Sequence, residues 1–163
     1  MNQTNEPNLR AFRESDVTQV RRLIHRTLDV SYAAVYPPEA VRFFKDFHSE
    51  AKILERHRAG DLLVIEQDGR VVATGAIVDG DIFGVFVDPD QQQRGHGRAL
   101  MRELESRAKT KGIQEAVLSV SLPSRRFYES LGYGEFEDRS RDLGGGVQLA
   151  FWQARKALTE PIS

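Results

Sequence analysis

From Asp61 onward the apolar residues of this chain fall in short runs broken by Asp-Gly pairs; before it they recur every three or four positions. The first pattern is that of strands, the second that of helices with one buried face. Residues 62–65, 70–78 and 82–87 therefore read as three strands, joined at Asp68-Gly69 and Asp79-Gly80. Both central residues of a type I′ turn need positive φ, which Asp-Gly accommodates, so the three strands are expected as an antiparallel meander. Gly84 interrupts the third, and a glycine inside a strand marks a bulge or a packing constraint. Upstream, residues 9–12 read as another strand. A helix follows from about Asp16, with Ser15 as its N-cap and Val17, Val20, Leu23, Ile24 and Leu28 on its buried face. Pro37-Pro38 opens a second helix through Phe47, and Ser49 caps a third that ends at Gly60.

Downstream of the meander, Leu100, Met101, Leu104 and Ala108 share one face of a helix that Gly112 stops. Glu103 with Arg107, and Glu105 with Lys109, have the i,i+4 spacing of ion pairs on its outer side. Residues 116–120 are continuously apolar but for one serine, which implies burial on both faces and a parallel partner, the third meander strand. Ser121 reads as the cap of a short helix with Pro123 in its first turn and Gly132 at its end. Residues 133–137 and 147–153 read as two closing strands around a loop, 138–146, that holds Gly144-Gly145-Gly146. Residues 1–8 are expected to be disordered, 9–155 to form one domain, and 156–163 to be a tail that frays beyond Ala157.

A chain of 163 residues with 40% hydrophobic and 29% charged residues has the size and composition of a single globular domain. Its net charge of -1 gives no electrostatic case for nucleic acid. No apolar run approaches a membrane span and the first residues lack a signal-peptide core, so no membrane partner and a cytoplasmic location are expected. Cysteine is absent, which removes disulfides, thiolate metal ligands and any acyl-cysteine intermediate. Four histidines, His25, His48, His57 and His96, show no paired metal-ligand spacing, and no metal site is expected.

The candidate chemistry lies between the third meander strand and the helix after it. There the chain reads Asp88-Pro89-Asp90-Gln91-Gln92-Gln93-Arg94-Gly95-His96-Gly97-Arg98. A helix start leaves several N–H groups without intrahelical partners, and the helix dipole adds about half a positive charge. Gly95 and Gly97 let those groups approach a ligand closely, and Arg94 and Arg98 add charge beside them. A pyrophosphate suits such a loop. The spacing is not that of a P-loop, because no Gly-x-x-x-x-Gly-Lys-Ser/Thr occurs. Neither is it the dinucleotide-binding fingerprint, which wants glycine or alanine at Leu100 and a parallel unit around the loop.

Gln92-Gln93-Arg94-Gly95-His96-Gly97 fits a pattern of Gln or Arg, two residues, Gly, one residue, then Gly or Ala. It thereby resembles the pyrophosphate loop of the GCN5-related N-acetyltransferase (GNAT) family, and Val87-Asp88-Pro89 is similar to that family's Val-x-Pro. A second motif follows in Phe127-Tyr128-Glu129-Ser130-Leu131-Gly132-Tyr133, which resembles the family's Phe-Tyr-Glu-x-x-Gly-Phe/Tyr. In one departure, Ser121 stands where an asparagine is common, seven places before the tyrosine. The resemblance covers roughly residues 9–155. It implies a single-domain α/β (α+β) fold: a mixed sheet in which an antiparallel meander joins a parallel, splayed strand pair, with helices on both faces. Gly84 is then the bulge that splays the strands and opens a cofactor slot.

The same resemblance implies acetyl-CoA as co-substrate and direct transfer to a primary amine of a small molecule or peptide. Its cofactor contacts fall on Val85, Phe86 and Val87, on Gln92, Gln93, Arg94, Gly95, His96, Gly97 and Arg98, and on Ser121, Ser124 and Tyr128. His96 serves through its backbone. Tyr128 becomes the proton donor to the leaving thiolate, a transfer uphill only modestly from a phenol of pKa about 10 to a thiol near 8.5. The Val87 N–H is expected to stabilise the oxyanion. Arg125 and Arg126 are either phosphate contacts or surface residues. Glu66, Asp81, His48 and a water chain are all open as base, and none is assigned. Tyr32, Tyr36, Phe43, Phe44 and Phe47 either wall the acceptor pocket or, for more than half of them, belong to the core. The alternative is a non-catalytic acyl-CoA-binding module, which would have no need of a proton donor at Tyr128. A homodimer is compatible with either.

Overall fold

The computed structural model describes residues 6–158. Its strands are β1 (Asn8–Ala11), β2 (Asp61–Gln67), β3 (Arg70–Val78), β4 (Asp81–Val87), β5 (Glu115–Val120), β6 (Gly134–Asp142) and β7 (Gln148–Ala157). They form one mixed sheet in the order β1-β2-β3-β4-β5-β7-β6. The Asp-Gly turns have φ of 55° and 75° at Asp68-Gly69, and 49° and 91° at Asp79-Gly80, as a type I′ hairpin requires.

β4 and β5 are parallel, and they pair only at Asp81 with Val117 and Ile82 with Leu118 before they part. The cause lies on the other edge of β4. Its register against β3 shifts between Thr74 and Ala76, opposite Gly84, whose φ is 58°. An extra residue on one strand bends it away from its next neighbour. A Cβ on Gly75 would lie 3.2 Å from both Leu104 Cδ1 and Val85 Cγ2, so this second glycine makes room for the bulged strand.

Helices cover both faces. α1 (Val17–Thr27), continued by one π-helical turn at Leu28–Tyr32, lies with α2 (Pro38–Phe47) and α3 (Glu50–Ala59) on one side. α4 (His96–Thr110) and α5 (Arg125–Ser130) lie on the other. Strand alternation divides the core accordingly: Leu62 and Val64 pack with α1, and Leu63 and Ile65 with α4. Among the described residues no helix is long and apolar enough to cross a membrane.

Several local expectations are corrected. Ser15 caps nothing: a 3₁₀ turn at Glu14–Asp16 precedes α1, and in it Asp16 accepts the Arg13 N–H at 2.8 Å while also binding Arg10. Glu103 pairs with Arg107, but Glu105 turns inward, where it accepts from Tyr133 Oη and Lys156 Nζ at 2.8 Å each. β5 alternates, with Glu115 and Ser119 exposed, because it covers one core on one face and borders the gap on the other. β6 extends to Asp142, so the glycine loop is shorter than residues 138–146. Residues 1–5 of the expected N-terminal segment and 159–163 of the tail lie outside the described residues, yet Asn8 already belongs to β1 and Leu158 is buried.

Candidate functional site

The loop after β4 is built for an anion. Gly95 takes φ of 87° at the start of α4, and Ala99 is the first residue whose N–H bonds back, to Gly95 O at 3.0 Å. Among the described residues no acceptor meets the amides of His96, Gly97 and Arg98, which together carry the positive end of the helix dipole. The two glycines serve differently. A Cβ at Gly95 would meet nothing within 4 Å, so its need is conformational; at Gly97 it would stand 2.9 Å from Phe127 Cζ, so its need is packing. Arg26 of α1 pins the loop, donating to Asp88 Oδ1 at 2.8 Å and Asp90 Oδ2 at 2.7 Å. Gln92 Nε2 donates to Val87 O at 3.2 Å. Gln93 has φ of 64°, Arg94 is exposed, and Arg98 bonds Ser130 Oγ at 3.3 Å. His96 is buried, its Nε2 without a partner among the described residues, and burial and then Arg94 push its pKa down.

Toward the apex of the gap the wall is backbone. Asp88 N–H bonds Val72 O of β3 at 2.8 Å, so by strand alternation the amides of Val87 and Val85 face away from β3, toward the gap. Gly84, Val85 and Phe86 line a cavity of about 320 Å³, together with Leu118, Ser121, Ser124 and Tyr128. Val87 lies outside that wall, nearer the loop.

Tyr128 of α5 is held edge-on by Phe127 at 5.0 Å and Tyr133 at 5.9 Å between ring centres. Its hydroxyl has no hydrogen-bond partner among the described residues, and burial, then Tyr32, raise its pKa. Ser121, expected as a cap, instead joins Tyr32 Oη at 2.9 Å and Ser124 Oγ at 2.7 Å. Arg125 turns from the loop to bond Glu129 at 2.8 Å and to stack over Phe136 and Trp152, while Arg126 is exposed.

The other half of the cavity is aromatic. Tyr32, Phe43, Phe44 and Phe47 line it, the first three also packing against the core beneath; Tyr36 is set back in that core, accepting Leu122 N–H at 2.8 Å. Phe83, Leu149, Phe151 and Arg141 complete it and carried no signal in the sequence. Of the three candidate bases, Glu66 is away at the β1 edge, bound to Arg10 Nε at 2.8 Å. Asp81 is on the rim. His48 is on the wall, but its Nδ1 accepts from Arg56 at 2.9 Å, and burial and that guanidinium push its pKa down to about 3. Arg56 itself was missed, although an arginine three residues from Ile53 on the same buried face of α3 is a legible anomaly.

Residues 21–133 match the Acetyltransferase (GNAT) family. The [ribosomal protein bS18]-alanine N-acetyltransferase of Escherichia coli (strain K12) is 33% identical over 78 residues, 44% of this chain and 53% of that protein. The chain thus spans about half the length of such curated relatives. Its fold is shared with a GCN5-related N-acetyltransferase from Rhodopseudomonas palustris, at a TM-score of 0.83 and 21% identity over 96% of this chain and 99% of that one. It is shared also with the paia N-acetyltransferase of Thermoplasma acidophilum, solved in complex with coenzyme A, at 0.74 and 18% over 93% and 99%. The family match covers more than half of the sequence and includes both the glycine loop and Tyr128, and on it the chain belongs to the GNAT family of acetyltransferases.

Proposed function

We propose that this chain transfers an acetyl group from acetyl-CoA to a primary amine by direct attack within a ternary complex. The observation that carries the proposal is the parting of β4 from β5, which runs a slot from the free amides of α4 to a cavity walled by Tyr128. The pyrophosphate sits on the amides of Gly95, His96, Gly97 and Arg98, with Arg94 beside it. Pantetheine lies along Val85 and Val87 as an added strand, and Ser121 and Ser124 border its far side. The amine nitrogen attacks the thioester carbonyl, the C–S bond breaks, and Tyr128 gives its proton to the sulfur. For the oxyanion we assign the amide of Val85, which borders the cavity, in place of Val87, which does not. The amine's own proton leaves to water, since His48 is already covered by Arg56 and Glu66 is remote. An apolar wall favours the uncharged amine and so eases that step.

A phenol aimed into the cavity without a structural partner favours the enzyme over a binding module. The test is calorimetric titration with acetyl-CoA and NAD, followed by coenzyme A release with an amine panel. Micromolar binding of acetyl-CoA but not NAD, with amine-dependent release, is expected. Binding without release for any amine points to a sensor, and no binding refutes the slot.

A further inference from the structure

The aromatic half of the cavity has features that acetyl transfer alone does not explain. Phe43 and Phe47 stack at 6.0 Å with an interplanar angle of 20°, forming a flat platform, and Phe47 is left 37% exposed at its edge. Behind the platform sits Arg56, buried yet without a carboxylate partner among the described residues; its guanidinium lies 5.1 Å from the Phe47 ring centre. It donates to Phe47 O at 2.6 Å and to His48 Nδ1 at 2.9 Å. Because arginine only donates, His48 Nδ1 must accept, and the ring's one proton is on Nε2. His48 is 4% exposed, its ring lines the cavity, and among the described residues its Nε2 has no hydrogen-bond partner. An N–H held rigidly in an apolar wall is a strong demand for an acceptor.

We infer that the acetylated amine is attached to a flat apolar group and carries a carbonyl or carboxylate oxygen near its nitrogen, which His48 Nε2–H binds while the apolar group lies on Phe43 and Phe47. Arg56 is the positioning residue that fixes the tautomer. This inference rests on the acetyl-transfer reading. Charge supports the choice. Arg141 stands 5.0 Å over Phe43 at the cavity mouth, and Asp81 is the one carboxylate on the cavity wall among the described residues, so a polyamine finds little to pair with. A free apolar amino acid and the apolar N-terminal residue of a peptide share the required chemistry.

The experiment compares kcat/KM for L-phenylalanine, L-phenylalaninamide, 2-phenylethylamine and spermidine with saturating acetyl-CoA. The acid and the amide separate the free amino acid from the peptide-like source; 2-phenylethylamine keeps ring and amine but lacks the oxygen. At least one of the first two is expected to exceed 2-phenylethylamine by about tenfold, the worth of one buried hydrogen bond, with spermidine lowest. His48→Phe keeps a ring in place but removes the donor, and is expected to bring that ratio to about one with unchanged acetyl-CoA affinity. In wild-type protein with coenzyme A bound, the His48 Nε2–H proton resonance is expected to move on adding L-phenylalaninamide and to stay on adding 2-phenylethylamine. Equal turnover of the aromatic amines, a preference for spermidine, or an unmoved resonance overturns this inference and leaves acetyl transfer standing. Turnover of no amine at all, with acetyl-CoA bound, overturns both.

Discussion

Replacing Tyr128 with phenylalanine separates catalysis from folding unusually well in this protein. The ring is fixed by Phe127 and Tyr133, and phenylalanine keeps both contacts. The hydroxyl bonds no protein group among the described residues, so its loss leaves no buried donor or acceptor unpaired. A stability change of less than about 0.5 kcal/mol is therefore expected. Catalysis is another matter. Starting from ordinary values, a phenol giving its proton to a thiolate climbs about 1.5 pKa units, or roughly 2 kcal/mol. Burial raises Tyr128 further, which alone would make it a poorer acid. In the proposed reaction the thiolate forms in the same buried cavity, however, and desolvation raises its affinity for a proton by the same cause, so the match is kept. General acid catalysis of this kind contributes a factor of about 10² to 10⁴, equivalent to roughly 3 to 5 kcal/mol of barrier. Tyr128→Phe should thus lose two or more decades of kcat while Tm and the acetyl-CoA Kd stay put. The assay is stopped-flow release of coenzyme A, with calorimetry for Kd. A kcat within threefold of wild type would refute the assignment of Tyr128 as proton donor, and a kcat loss matched by a large fall in Tm would refute the claim that its hydroxyl has no structural role.

Four other substitutions test the surrounding framework. Gly97→Ala puts a Cβ 2.9 Å from Phe127 Cζ and is expected to weaken acetyl-CoA binding by about tenfold, checked by titration; Gly95→Ala meets no atom and costs about 1 kcal/mol of backbone strain, seen as a lower Tm. Glu105→Leu strands the Tyr133 hydroxyl and Lys156 Nζ, and because Lys156 can turn to water the expected loss is about 2 to 3 kcal/mol, measured by urea denaturation, with acetyl-CoA affinity unchanged. Asp16, bonded by Arg10 and the Arg13 amide, has its pKa held below the usual carboxylate value. Its stabilisation is complete above the unfolded value of about 4 and is lost as pH falls through the folded one. Asp16→Asn should accordingly cost about 2 kcal/mol at pH 7, with the gap to wild type closing on acidification, as followed by thermal melts across pH.

The elements that the sequence made legible are those set by neighbours in the chain. Asp68-Gly69 and Asp79-Gly80 dictate their turns locally, and the spacing of Leu100, Met101, Leu104 and Ala108 dictates a buried helix face. Several misreadings share one physical cause, a partner remote in sequence. Glu105 leaves the helix exterior because Tyr133 and Lys156 arrive 28 and 51 residues later. Ser121 abandons the role of cap because Tyr32, 89 residues earlier, offers its hydroxyl. Arg26 clamps the phosphate loop from 62 residues away. The proposed oxyanion position is placed at Val85 and not Val87 for a related reason: where the cavity meets the strand depends on the bulge, and the bulge depends on how β3 packs against α4 around Gly75.

The early parting of β4 from β5 also makes the sheet two panels, β1 to β4 and β5 with β7 and β6, hinged at Asp81-Val117 and Ile82-Leu118. On the proposed reading, a donor molecule lying in the gap as an added strand would bond one panel and pack against the other, and so be a structural member of the protein for the length of its stay. By mass action, a ligand at a hundred times its Kd adds about 2.7 kcal/mol to such a fold. Each turnover would remove that member, and product release would then be the unzipping of a strand from the edge of β4.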